Sequence, residues 1–268
     1  MKYTWFFLGI FALFLAQGCT NSDNEENNTE ENSYAETNTP ESSTTTESDV
    51  TTEVKTEEDR DGRIRELPTF NSLLHNISGN IVWKQGDEQR VEIQATPEVL
   101  EQITTEVKGG GLLYIGYRDP NFQLNDNKLY IFITTPEIKA IRLSGSGNLE
   151  SKNRWDVENL SLAISGSGNM DIRLKANKLM AQISGSGNIN LKGKSDDCEI
   201  GVNGAGQFAG YKFKVENCRA KLSGSGSCAL YVKDQLSVAI VGSGSMTYKG
   251  NPNVSKLIEG SGSLIKQE

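Results

Sequence analysis

Ile164-Ser165-Gly166-Ser167-Gly168-Asn169-Met170 returns nineteen residues later as Ile183-Ser184-Gly185-Ser186-Gly187-Asn188-Ile189, and this recurrence decides the fold. The Gly-x-Gly step occurs seven times, with first glycines at 145, 166, 185, 204, 224, 242 and 260, so the spacings are 21, 19, 19, 20, 18 and 18 residues. Two places before the first glycine stand Leu143, Ile164, Ile183, Val202, Leu222, Ile240 and Ile258. Four places after it stand Leu149, Met170, Ile189, Phe208, Cys228, Met246 and Leu264. Apolar residues at alternate positions mark strands with one buried face. A fixed period near twenty residues marks a solenoid.

The repeat predicts an all-β, right-handed parallel β-helix with rungs of 18–21 residues. Each rung supplies a strand before its Gly-x-Gly and a strand after it. Stacked rungs lie about 4.8 Å apart, so the seven rungs rise roughly 34 Å. Equivalent residues then form ladders, with aliphatics inside and Ser or Asn along the bends. Glycine is needed where stacked backbones approach too closely for a Cβ.

Residues 61–140 read as an irregular, β-rich N-terminal cap on the regular repeats of 141–268, the two parts forming one domain. Asn76-Ile77-Ser78-Gly79-Asn80-Ile81 repeats the turn in shortened form. Residues 90–94, 112–115 and 129–133 read as strands, and Pro97 to Thr105 as a helical turn. Upstream, residues 1–18 read as a signal peptide. Lys2 is followed by an uncharged stretch that ends at Gly18-Cys19, and Cys19 is the candidate lipidation site. The alternative is an ordinary secretory leader with an incidental cysteine. Residues 19–60 carry few large apolar side chains and read as an acidic disordered tether. From Thr20 to Arg60 there are 13 acids and two bases, whereas from Asp61 onward 22 acids face 24 bases. The formal charge of −8 therefore belongs to the tether, and no clustered basic face stands out in the sequence, which argues against nucleic acid as a partner.

With the repeats laid out, the chain resembles the head GIN domain family of auto-transporter adhesins. The resemblance rests on Phe70…Ile77-Ser78-Gly79, Val82-Trp83-Lys84-Gln85-Gly86-Asp87, Val107-Lys108-Gly109-Gly110 and Tyr130-Ile131…Thr134-Thr135-Pro136-Glu137. The Ser-Gly-Ser-Gly-Asn steps and Tyr248-Lys249-Gly250-Asn251-Pro252 complete it. It spans about Leu67 to Ile265 and departs from the pattern at Asn203-Gly204-Ala205-Gly206-Gln207 and at the cysteine-bearing rungs. The resemblance implies a β-helical, envelope-associated protein and fixes no ligand.

Nothing in the sequence assembles catalytic chemistry. His75 is the one histidine, with no nucleophile or orienting carboxylate placed beside it, so a structural or exposed role is expected. Gly-x-Ser-x-Gly and phosphate-loop motifs are absent, and the Gly-rich turns lack the aspartates of calcium-binding solenoids. No cofactor and no metal site is expected. Asp156, Asp171, Asp196, Asp197 and Asp234 share no column. Cys198 and Cys218 fall in one column with Leu160, Leu179, Leu236 and Val254. They should stack within disulfide reach, either bonded or as buried thiols filling an apolar column, the latter favoured. The expected function is that of a non-enzymatic, exported outer-membrane lipoprotein, surface-exposed or periplasm-facing. It is anchored to the membrane by lipid and presents the solenoid to a glycan or protein. A self-associating envelope protein, forming a homo-oligomer, is the rival reading, and a carbohydrate-active enzyme a more distant one.

Overall fold

The computed structural model describes residues 61–124 and 128–268. The leader, Cys19 and acidic tether read from residues 1–60 lie outside the described residues. In the repeat region, four long strands each run from one Gly-x-Gly to the next: β11 (Asn169–Gly185), β12 (Asn188–Gly204), β13 (Gln207–Gly224) and β14 (Ser227–Gly242), and β10 (Trp155–Gly166) supplies the later part of the rung before them. The two strands expected per rung are thus joined into one that bends at a corner. There the alternation of buried and exposed residues breaks, leaving two exposed neighbours such as Asn177-Lys178 and Asp196-Asp197. A shorter rung follows as β15 (Ser245–Lys249) and β16 (Asn253–Glu259), split by Gly250-Asn251-Pro252, and β17 (Ser263–Lys266) ends the stack.

Every pairing in this region is parallel, and the register is the one that the glycine spacing demands. Ile164, Ile183, Val202, Leu222, Ile240 and Ile258 stack in one column. Met170, Ile189, Phe208, Cys228, Met246 and Leu264 stack in another. Apart from the terminal Ile258 and Leu264, these side chains are buried, each worth about 1.5–3 kcal/mol of transfer free energy. No rung covers both of its own faces, so this burial exists only between neighbours. Along one bend, Asn188 donates to Asn169, Asn169 to Asn148 and Asn148 to Asn80, at 2.8, 2.8 and 3.1 Å. That amide ladder pins the rungs in register.

The N-terminal part joins the same sheet out of chain order. β2 (Ser72–His75) and β3 (Asn80–Gln85) flank the shortened Ile77-Ser78-Gly79 turn. They lie between β8 (Ala140–Leu143) and β9 (Asn148–Ser151) on one side and β6 (Leu112–Tyr117) and β7 (Tyr130–Thr135) on the other. Beyond these, β5 (Ile103–Lys108) pairs antiparallel with β6, β4 (Arg90–Ala95) with β7, and β1 (Asp61–Arg65) with β4. Helix α1 (Pro97–Gln102) buries Val99 and Leu100 and accounts for the expected helical turn. It stops at Gln102 because Ile103–Thr105 belong to the β5–β6 hairpin, whose turn contains Gly110 and Gly111 at φ +77° and +72°. The rings of Trp83 and Trp155 meet edge to face at 5.9 Å, and the Trp83 indole donates to Thr135 Oγ1 at 2.9 Å. Antiparallel strands and a helix therefore close this end. The opposite end has no cover among the described residues: Leu257 and Ile265 of the last rung are 59% and 51% exposed.

Candidate functional site

Stacking turns each residue position near the corner into a column, and three adjacent columns line a groove of about 1170 Å³ that runs along the solenoid axis. The middle column is Leu160, Leu179, Cys198, Cys218, Leu236 and Val254, all register partners. One flanking column is Asn159, Lys178, Asp197, Asn217, Gln235 and Asn253; the other is Ser161, Met180, Glu199, Arg219, Ser237 and Ser255. Six strands at about 4.8 Å make a trough roughly 24 Å long. Gln85, Pro136 and Glu137 bound it at the capped end.

Of the charged side chains that line the groove, five are carboxylates (Glu137, Asp156, Glu158, Asp197 and Glu199) and three are cations (Lys139, Lys178 and Arg219). Lys178 sits in register with Asp197, and Glu199 with Arg219. Asn217 donates to the Asp197 carboxylate at 3.1 Å, and Lys139 to Glu137 at 2.9 Å. Hydrogen bonding from Lys139, its charge, and a bond from Asn71 hold the Glu137 carboxyl below its ordinary range. The carboxylates that share no sequence column do gather here, with Asp156 and Asp197 both lining the groove. Neither Asp197 nor Glu199 has a second carboxylate as register partner; each faces a cation or an amide instead. Among the described residues, no group of three or more His, Cys, Asp or Glu could hold a metal ion.

Cys198 and Cys218 face each other in register, as their shared column requires, and both are free thiols in this structure. A hydrogen bond with Cys218, then burial, pushes the Cys198 thiol well above its ordinary range, and burial does the same to Cys228. All three are buried, Cys198 and Cys218 in the middle column of the groove and Cys228 in the column of Phe208 and Met246. His75 is buried in β2 between Ile115 and Leu143, far from any nucleophilic arrangement. Among the described residues neither ring nitrogen has a hydrogen-bond partner, and burial lowers its pKa to about 4.

The expectation of no clustered basic face is corrected by the stack. Arg173, Lys192 and Lys212 form one column, and Lys175, Lys194 and Lys214 the next. The signal was present as Arg173-x-Lys175, Lys192-x-Lys194 and Lys212-x-Lys214, at the same place in three successive rungs. Charge balance over the whole chain conceals it.

The family model described as "Putative auto-transporter adhesin, head GIN domain" matches residues 69–252, which contain β2 to β15, the groove up to its last rung and all but the last of the Gly-x-Gly steps. The chain belongs to the head GIN domain family. Among solved structures, this head GIN protein is similar to a "putative adhesin" from Bacteroides fragilis, with 25% identity and a TM-score of 0.75 over 78% of this chain and 98% of that one. It also shares its fold with a "Putative lipid binding protein" from Parabacteroides distasonis (23% identity, TM-score 0.67, 79% and 98% covered). A "putative adhesin" from Parabacteroides merdae is similar at 19% identity and TM-score 0.63, with 79% and 98% covered. No curated protein matches the chain. The head GIN description is that of a surface or envelope adhesin and not of an enzyme. Among the described residues no helix is long and apolar enough to cross a membrane.

Proposed function

We propose that the chain is a lipid-anchored, non-enzymatic adhesin of the cell envelope that holds a neutral glycan along its groove. Cys19 carries the lipid, residues 20–60 are the spacer, and residues 61–268 are one binding domain. The observation that carries this reading is a continuous trough over six rungs, with one apolar column along its floor and mainly polar side chains on both flanks. A ligand running along the axis meets a fresh pair of flanking groups every 4.8 Å or so, which suits a polymer better than a compact molecule. The groups themselves are suited to sugars. Amides at Asn159, Asn217, Gln235 and Asn253 and hydroxyls at Ser161, Ser237 and Ser255 donate and accept beside a narrow apolar strip. Five carboxylates against three cations in the lining disfavour an anionic ligand.

The test uses beads coated with neutral polysaccharides (dextran, mannan, laminarin and xylan) offered to cells expressing the chain. Wild-type cells should retain one of them. Ser237→Trp, which places an indole in the trough from an exposed position, should stay membrane-bound yet retain at least tenfold fewer beads. Cys19→Ala should leave the membrane fraction and retain none. Equal retention by Ser237→Trp removes the groove from the account. Retention of a denatured polypeptide with no polysaccharide retained makes the ligand a protein.

The open end favours a second reading, self-association. β16 exposes Val254 and Leu257 and β17 exposes Ile265, beside strand edges that are ready to pair. Light scattering across a hundredfold concentration range separates the two readings. A dimer that Leu257→Lys converts to monomer would put assembly first, whereas a monomer throughout leaves the groove reading in place.

A further inference from the structure

The two basic columns lie on the outward side of the solenoid just before the corner, and none of their residues lines the groove. We propose that this stripe is a docking surface for an anionic polysaccharide, one bearing carboxylate or sulfate groups on successive sugars. The second column continues past Lys214 to Tyr231 and Lys249, so cations and a phenol ring follow one another along the axis. Among the described residues no carboxylate lies within 4.0 Å of Lys194, Lys212 or Lys214. The groups that do face the stripe are the carboxylates of Asp171, 3.2 Å from Lys192, and Asp156, 3.7 Å from Lys175, together with the main-chain oxygen of the last residue, Glu268, to which Lys249 donates. Both pairs are exposed at the surface, where such contacts are weak and an anionic ligand can displace them.

The aromatic groups set the class of anion. A register shift lets Tyr211-Lys212-Phe213 bulge from β13, leaving Tyr211 36% exposed. Lys249 lies 5.8 Å from the Tyr211 ring and Lys214 lies 5.5 Å from the Tyr231 ring. Half-exposed tyrosines among lysines offer a sugar both a flat face for its C–H groups and a cation for its acid group. The geometry agrees: within each column the cations follow one another at about 4.8 Å, close to the length of one ring in an extended glycan. The two columns together carry roughly one charge per 2.4 Å of axis, somewhat sparser than the one per 1.7 Å or so of duplex nucleic acid. The chain's net charge of −8 does not oppose docking, because it resides in residues 20–60 and the described body is nearly balanced. At physiological salt only charges within about 8 Å act strongly.

Fluorescence anisotropy of a labelled heparin oligosaccharide on the full-length chain tests this, with polyphosphate and poly-dT of matched charge as comparators. The triple variant Lys194→Gln/Lys212→Gln/Lys214→Gln alters exposed side chains, and circular dichroism verifies its fold. At 150 mM NaCl it should bind heparin at least tenfold more weakly. The slope of log affinity against log salt should fall by about two to three, roughly one for each cation removed. Tyr211→Ala should weaken heparin several-fold and leave polyphosphate unchanged. Ser237→Trp in the groove should leave heparin binding intact, so this proposal and the groove reading fail separately. Absent saturable heparin binding, a triple variant equal to wild type, or tighter binding of poly-dT than of heparin would each overturn it.

Discussion

Gly185→Ala should cost about 3 kcal/mol or more, lowering the melting midpoint by roughly 6–12 °C for a domain of this size. Gly185 has φ +122°, a region that a residue with a Cβ adopts only under strain. A Cβ built there would sit 2.6 Å from the carbonyl oxygen of Gly166 in the rung beneath. The contact is backbone against backbone, so no side chain can swing aside. Relief requires the two turns to separate, and separation stretches the 3.0 Å bond from the Ser186 amide to that same oxygen. Ser186, between the glycines and exposed, provides the control: Ser186→Ala should change stability by under about 0.5 kcal/mol. Thermal melts followed by far-ultraviolet circular dichroism measure both. If Gly185→Ala melts with wild type, close approach of the rungs is not what the glycines serve.

His75→Leu should stabilise the protein and flatten its acid sensitivity. The folded pKa of His75 is about 4 against an unfolded value near 6.5, so between these values the unfolded chain binds the extra proton. The stability of the neutral, buried ring is fully present above pH 6.5 and is lost progressively as pH falls from 6.5 towards 4. Two and a half pH units correspond to about 3 kcal/mol at the acid end of that window. The lowered Glu92 and Glu137 carboxyls add losses of the same sign, but only below the usual carboxylate range. Leucine suits the site because its neighbours in the column, Ile115 and Leu143, are aliphatic. It also removes two buried nitrogens that have no partner. Urea titrations at pH 5 and pH 7.5 are the measurement. Equal pH dependence in variant and wild type would show that His75 is not the acid-labile element.

The regular rungs were legible because two independent columns around Gly-x-Gly agree with one period, and each column has one chemistry. The same logic places Cys198 on Cys218. Where columns mix chemistries, the reading failed. The groove flanks alternate among amides, acids, bases and Met180, so no single column announced a site. The basic stripe is concealed by the balance of acids and bases over the folded part, although Lys212 and Lys214 align with Lys192 and Lys194. A lone imidazole in an apolar column does not reveal which way it faces, so the sequence leaves His75 as either structural or exposed. The order of the cap could not be read either, since the partners of β2 and β3 lie far along the chain and no short-range turn chemistry specifies them.

That cap order has a consequence for how the chain closes on itself. Asn80 meets Asn148 across 68 residues and Trp83 meets Thr135 across 52, whereas each later turn closes a loop of 18–21. Loop-closure entropy grows as the logarithm of length, so joining Asn80 to Asn148 costs about 1 kcal/mol more than a regular rung. This larger entropic cost is met once, at the end where antiparallel strands hold the product in place. Every subsequent rung adds a fixed, small increment on a surface already ordered, so the number of rungs can change by duplication or loss with little effect on what each remaining rung requires.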